Sequence, residues 1–205
     1  MDYFVLILIA GLAVMVLAKL YSVLGKDVGA PPPAASQQAR PTDKIEPVSA
    51  PRPKTMGFSG LAALQKTDPG FDPADFLHGA QAAYEMIVKA FAAGDRETLQ
   101  NLLERDVFET YDGAITERET NGQTVQIDIV RMLDTKIIDA SVERKKAFLT
   151  VQFHTDLSVI ETDKDGKATV EKEGGIAETT EQWTFSRDLN SADPNWRLSA
   201  VAAIA

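Results

Sequence analysis

The side chains in this chain best able to do chemistry are aromatic. Trp183 and Phe185 share one face of an alternating stretch, Trp196 and Leu198 share one face of the next, and Tyr84, Phe91, Phe108 and Tyr111 recur at helical spacing. Such a set packs helices against a sheet. Part of it can also line a groove that accepts an apolar ligand or a partner's helix. The candidate binding pocket is therefore Tyr84, Phe91, Phe108, Tyr111, Trp183, Phe185 and Trp196.

Catalysis would need something sharper, such as a carboxylate desolvated in an apolar pocket and raised in pKa until it works as a general base. Asp112, Asp128 or Asp156 with His154 could serve, and nothing in their spacing selects among them. Metal chemistry has still less to draw on. His78 and His154 stand far apart, and the absence of cysteine excludes disulfides, thiolate metal sites and cysteine nucleophiles. The DKDG run from Asp163 to Gly166 begins like a calcium loop but lacks the later ligands and the closing glutamate, so it reads as a turn. Glycine-rich phosphate loops and the G-x-S-x-G elbow are missing. The expectation is a protein without catalytic residues, metal or cofactor.

The elements that position the aromatics are legible from their boundaries. Asp72 can cap a helix whose first residue is Pro73, and Leu77, Ala80, Tyr84, Ile87, Val88 and Phe91 follow 3–4 spacing. Gly94 supplies the left-handed stop, and Asp95 caps a second helix carrying Leu99, Leu102 and Leu103. A third helix is predicted from about Asp106 to Thr120, with Gly122 ending it. Beyond Thr124 the period changes to two. Strands are predicted at Val125–Val130, Thr135–Glu143, Ala147–Glu161, Ala168–Val170, Thr179–Arg187 and Trp196–Ala202, and Asp165-Gly166 is the strongest hairpin signal. Helices followed by consecutive antiparallel strands make an α+β layer structure.

Upstream of these elements the chain changes character. No charge occurs from Tyr3 to Ala18, and only Lys19 interrupts the apolar run before Leu24. A bilayer core requires about 20 apolar residues, so residues 3–24 read as one transmembrane helix, with Tyr3, Phe4, Leu6, Leu8, Val14, Leu17, Leu20 and Tyr21 in the membrane anchor. A cleaved secretory signal would carry a positive start where this chain has Asp2. Lys19, Lys26, Arg40 and Lys44 all follow the span, which by the positive-inside rule sets the N-terminus outside and the C-terminal domain in the cytoplasm. Eight of the ten prolines fall between Asp27 and Gly70, and residues 25–70 read as a disordered tether. Within its end, Phe58, Leu61 and Leu64 share a helical stripe that could touch the membrane or the domain.

Residues 71–205 then form one domain. From Phe71 onward 25 Asp and Glu stand against 14 Lys and Arg, a net of −11. A surface that acidic repels nucleic-acid backbones and anionic headgroups alike, so the span is the expected means of membrane attachment and nucleic acid is not an expected partner.

Five motifs in order resemble a known family: A-x-x-AY-x-x-I at Ala80–Ile87, A-x-GD-x-x-x-L at Ala92–Leu99, I-x-x-R at Ile115–Arg118, WTF-x-R at Trp183–Arg187 and P-x-W-x-L at Pro194–Leu198. Together they look like the Tim44-like domain of the mitochondrial inner-membrane import motor and of bacterial homologues with a transmembrane anchor. The resemblance implies helices packed on a strongly bent antiparallel sheet, a cone like that of nuclear transport factor two, enclosing a hydrophobic pocket. It also implies a non-enzymatic scaffold whose partner is a protein, such as a chaperone or a membrane-protein assembly factor. Where the mitochondrial protein has a long chaperone-recruiting region, this chain has its proline-rich tether. The resulting expectation is a single-pass inner-membrane adaptor. The rival readings are a periplasm-facing bitopic subunit of a secretion system and a pocket enzyme using a buried carboxylate base.

Overall fold

The computed structural model describes residues 58–170 and 175–204. The apolar segment over residues 3–24 and the tether up to residue 57 lie outside the described residues. Among the described residues four helices precede the sheet: α1 (Phe58–Thr67), α2 (Pro73–Ala93), α3 (Arg96–Leu102) and α4 (Arg105–Thr120). The strands are β1 (Thr124–Glu143), β2 (Lys146–Thr162), β3 (Ala168–Val170), β4 (Ile176–Asp188) and β5 (Arg197–Ala203). All pairings between them are antiparallel, in the order β1-β2-β4-β5, and β3 pairs with the end of β2.

Local chemistry fixes the helix ends. The Asp72 carboxylate accepts from the amides of Ala74 and Asp75 at the start of α2, and Gly94 closes that helix at φ 72°, a left-handed conformation that costs glycine nothing. Asp95 then accepts from Thr98 N to begin α3. Helix α4 starts one residue earlier than the sequence suggests, with Glu104 before it. Glu104 makes no cap hydrogen bond because Lys146 Nζ (2.9 Å) and Ser186 Oγ (3.0 Å) take its carboxylate.

Sequence periodicity misses one strand boundary. The two stretches expected at Val125–Val130 and Thr135–Glu143 are a single 20-residue strand, β1. Its register against β2 slips at Val130, Leu133 and Ile138, each an extra residue facing no partner. A bulge inserts one residue and flips the alternation that follows, which is why the period-two signal lapses between them. Turn chemistry also differs from expectation. The β1–β2 hairpin is closed by Arg144 and Lys145 at φ 48° and 70°, a two-residue reversal made without Asn or Gly, whereas Asp165-Gly166 leads only into the three-residue β3.

The packed unit begins at α1, inside the range read as tether. Leu64 is fully buried, and α1 approaches so closely that a Cβ on Gly60 would stand 1.6 Å from the Ala140 carbonyl oxygen. Glycine is thus required at this crossing. The core lies between the helices and the inner face of the sheet, where Ala147, Leu149, Val151 and Phe153 of β2 meet Trp183 and Phe185 of β4. Ile87, Ala90, Leu99 and Ile115 close it from the helices.

Candidate functional site

Two arrangements on the inner face of the sheet can do more than fill space. The first is an open cleft of about 380 Å³ between α2 and the β4–β5 connection. Phe71, Phe76, Phe185 and Trp196 form its aromatic floor, with Trp196 edge-on to Phe76 at 5.0 Å and to Phe71 at 6.0 Å. Small residues of α2, Gly79, Ala80 and Ala83, open its wall, and Met86 stands 46% exposed along it. Asp72 and Asp75 line the cleft too, and the cation among its lining residues, Arg187, is paired with Asp68, so its border is net acidic. Aromatic floors bind apolar groups, and a thioether wall adapts to their shape.

The second arrangement is polar and internal. Tyr84 is fully buried, its ring 4.6 Å from both Phe153 and Trp183. Its phenol donates to Glu181 Oε2 (3.0 Å) and lies 3.1 Å from Thr155 Oγ1, which in turn meets Thr179 Oγ1 at 2.9 Å. Desolvation pushes the Glu181 carboxyl above the usual carboxylate range, opposed by hydrogen bonds from Tyr84 and Trp183. The buried indole N–H of Trp183 completes no hydrogen bond of ordinary length and angle among the described residues, so its pull on this carboxyl is the weaker one. Burial likewise raises the Tyr84 and Tyr111 phenols, and the Glu181 charge raises both further.

The seven predicted pocket residues therefore separate. Phe185 and Trp196 line the cleft; Tyr84 and Trp183 surround Glu181; Phe91 and Tyr111 form an edge-to-face pair at 5.1 Å beneath α4; Phe108 is half-buried against the core. The cleft lining missed in the sequence comprises Phe71 and Phe76, which sit at the helix start, and the small residues of α2, whose signal is the absence of bulk on one face. The carboxylates considered for catalysis are scattered. Asp112 binds Arg96 (2.6 Å), Asp156 binds Arg131 (2.7 Å), Asp128 accepts from Gln126 and His154 meets Glu178 (2.6 Å). Glu181, a carboxyl that burial does raise, carries no sequence signal because it sits among hydrogen-bonding threonines in a polar-looking strand.

Two arginines lock this arrangement. Arg118 donates to the carbonyls of Phe91 and Ala92 at the end of α2, with its guanidinium 5.3 Å from the Phe91 ring. Arg187 pairs with Asp68, just beyond α1, and lies 5.1 Å from the Trp196 ring. Both belong to motifs that make up the family resemblance, and a match to the Tim44-like domain covers residues 58–203. The chain belongs to the Tim44-like domain family. Its Tim44-like motifs are structural here: Gly94 and Asp95 turn α2 into α3, Arg118 closes α2, and Arg187 with Trp196 joins α1 to the sheet. The chain is 24% identical over 145 residues to an uncharacterized protein of Rickettsia prowazekii, covering 71% of this chain and 59% of that protein. Solved structures similar to the Tim44-like domain include the intermembrane space region of the chloroplast protein ARC6 (12% identity, 63% of this chain and 96% of that one, TM-score 0.45). An NTF2-like protein from Cytophaga hutchinsonii also resembles it (16% identity, 65% and 100%, TM-score 0.35).

Proposed function

We propose that this chain is a single-pass inner-membrane scaffold or adaptor, with its Tim44-like domain in the cytoplasm and its cleft holding a segment of a protein partner without catalytic turnover. Membership of the Tim44-like family supports a membrane-associated scaffold or adaptor role in general. The observation that carries the finer reading is the order of parts: a charge-free run from Tyr3 to Ala18, a proline-rich stretch, and a family match that starts at residue 58. The aromatic floor beside exposed Met86 supplies an apolar seat, and the acidic rim at Asp72 and Asp75 favours a partner segment bearing lysine or arginine. Neither Glu181 nor Glu161, whose carboxyls burial raises, is among the residues lining the cleft.

A phosphatase fused after Ala205 tests the orientation. It stays inactive if the domain is cytoplasmic, and high activity replaces this reading with the periplasm-facing alternative. A photo-crosslinker at Met86 in native membranes tests the adaptor role. It captures one recurrent membrane-protein partner, and the adduct is lost when Trp196→Ala removes the cleft floor. Crosslinks that persist unchanged in that variant overturn the cleft as the docking seat.

A further inference from the structure

Glu181 is partly buried on the inner face of β4 with partners that can only donate or accept a proton, and among the described residues no cation faces it. From α2 it meets Tyr84, and from α4 the Tyr111 phenol. From β2 it meets Phe153, opposite it in register, and Thr155 through the Tyr84 hydroxyl; from β4, Trp183; from β5, Ala203 pairs beside it. The nearby arginines are committed elsewhere: Arg118 to the Phe91 and Ala92 carbonyls and towards Glu161, Arg96 to Asp112 and Glu119, Arg131 to Asp156.

The hydroxyls form a chain that can run in either direction. With Glu181 ionised, Thr179 donates to Thr155, Thr155 to Tyr84 and Tyr84 to the carboxylate. With Glu181 protonated, its O–H donates to Tyr84, Tyr84 to Thr155, Thr155 to Thr179, and Thr179 ends the chain on the Thr155 carbonyl, which its oxygen reaches at 3.4 Å. The protonated form satisfies every member and leaves no buried charge. The ionised form leaves a poorly solvated carboxylate with no counter-charge among the described residues, and hydrating it draws water towards the Tyr84 hydroxyl.

We propose that Glu181 and the Tyr84–Thr155–Thr179 hydroxyls form a proton-operated latch that holds α2 to the sheet while Glu181 is protonated and slackens when it ionises. Tyr84 is the helix's anchor in this latch, and the cleft wall at Gly79, Ala80, Ala83 and Met86 is carried by the same helix. Proton concentration therefore sets how firmly that wall is held. The latch is independent of any partner, so its failure would leave the adaptor reading untouched, and the converse also holds.

Hydrogen exchange of the full chain in non-ionic micelles, corrected for the intrinsic pH dependence of exchange, reads it directly. Between the ordinary carboxyl range and the folded midpoint, protection of α2 amides around Tyr84 falls by up to about tenfold per pH unit, the limit set by one linked proton. Protection of α1 amides does not follow that slope. Glu181→Gln, neutral and of the same shape, abolishes the slope in α2. A wild-type chain with no slope, or a Glu181→Gln chain that keeps it, overturns the latch. Should that variant fail to fold, the 13C carboxyl resonance of Glu181 in the wild-type chain decides: a midpoint above about 4.3 supports the latch, and one at or below it refutes it.

Discussion

Arg187 and Glu181 stand on the same face of β4 and are handled in opposite ways. Arg187 is given a carboxylate, Asp68, and an aromatic surface, Trp196. Glu181 is given the Tyr84 hydroxyl and, among the described residues, no cation. A charge neutralised at close range becomes part of the architecture, because removing either partner strands the other in a poorly solvated place. A charge left without a partner makes its surroundings depend on whether the proton is present. One strand thus carries a fixed joint near its end and a titratable one near its middle.

The comparison breaks most severely at the fixed joint. Arg187→Ala should lower unfolding stability by about 3 kcal/mol in urea titration, and a loss below about 1 kcal/mol would mean that Asp68 and Trp196 hold that end without it. Gly60→Ala attacks the same end through sterics. The new Cβ meets a backbone carbonyl, so about 2 kcal/mol of stability should go, and limited proteolysis should cut near α1 while α2 stays protected. At the titratable joint the expected effect is smaller and has a sign. The folded-state pKa of Glu181 lies above its unfolded value, so the folded chain keeps a proton that the unfolded chain has released. The stability this contributes is full below about 4.3 and drains away as pH rises through the folded value. Denaturation curves from pH 5 to 8 should therefore show a decline that Glu181→Gln flattens, with the variant the more stable chain at the upper end. Smallest of all, Arg105→Ala, which removes an exposed partner of Glu109 on α4, should leave stability unchanged at either pH. A measurable loss there would show that surface charge contributes to the difference between the two joints.

How much of this was legible in the sequence follows physical lines. Helix caps are local, so Asp72, Pro73, Gly94 and Asp95 announced themselves and the structure places them where they were read. Strand existence was also visible, but the unity of β1 was not, since three bulges scramble the alternation on which strand reading depends. The hairpin at Arg144-Lys145 was hidden because its left-handed residues are not the ones that favour that conformation; the long ladder on either side holds them there. Of the candidate site, the aromatics were recognised as inward-facing, yet which of them border open space depends on small neighbours such as Gly79 and Ala83, which give no positive signal. Glu181 was overlooked for a related reason. Its environment is set by Tyr84, nearly a hundred positions earlier, and no local pattern encodes that meeting.

The bulges of β1 bear on how such a domain survives at high density. A 20-residue strand with one side unpaired would template the addition of strands from neighbouring copies, and tethering copies to a membrane would crowd them in two dimensions. Extra residues at Val130, Leu133 and Ile138 interrupt that side every few positions, twisting it so that no long, flat run of free amides and carbonyls is presented. Val130 and Leu133, 51% and 39% exposed, are the residues that a flat strand would have turned into sticky edges. The irregularity that obscures β1 in the sequence thus also blunts its free edge against pairing with another copy.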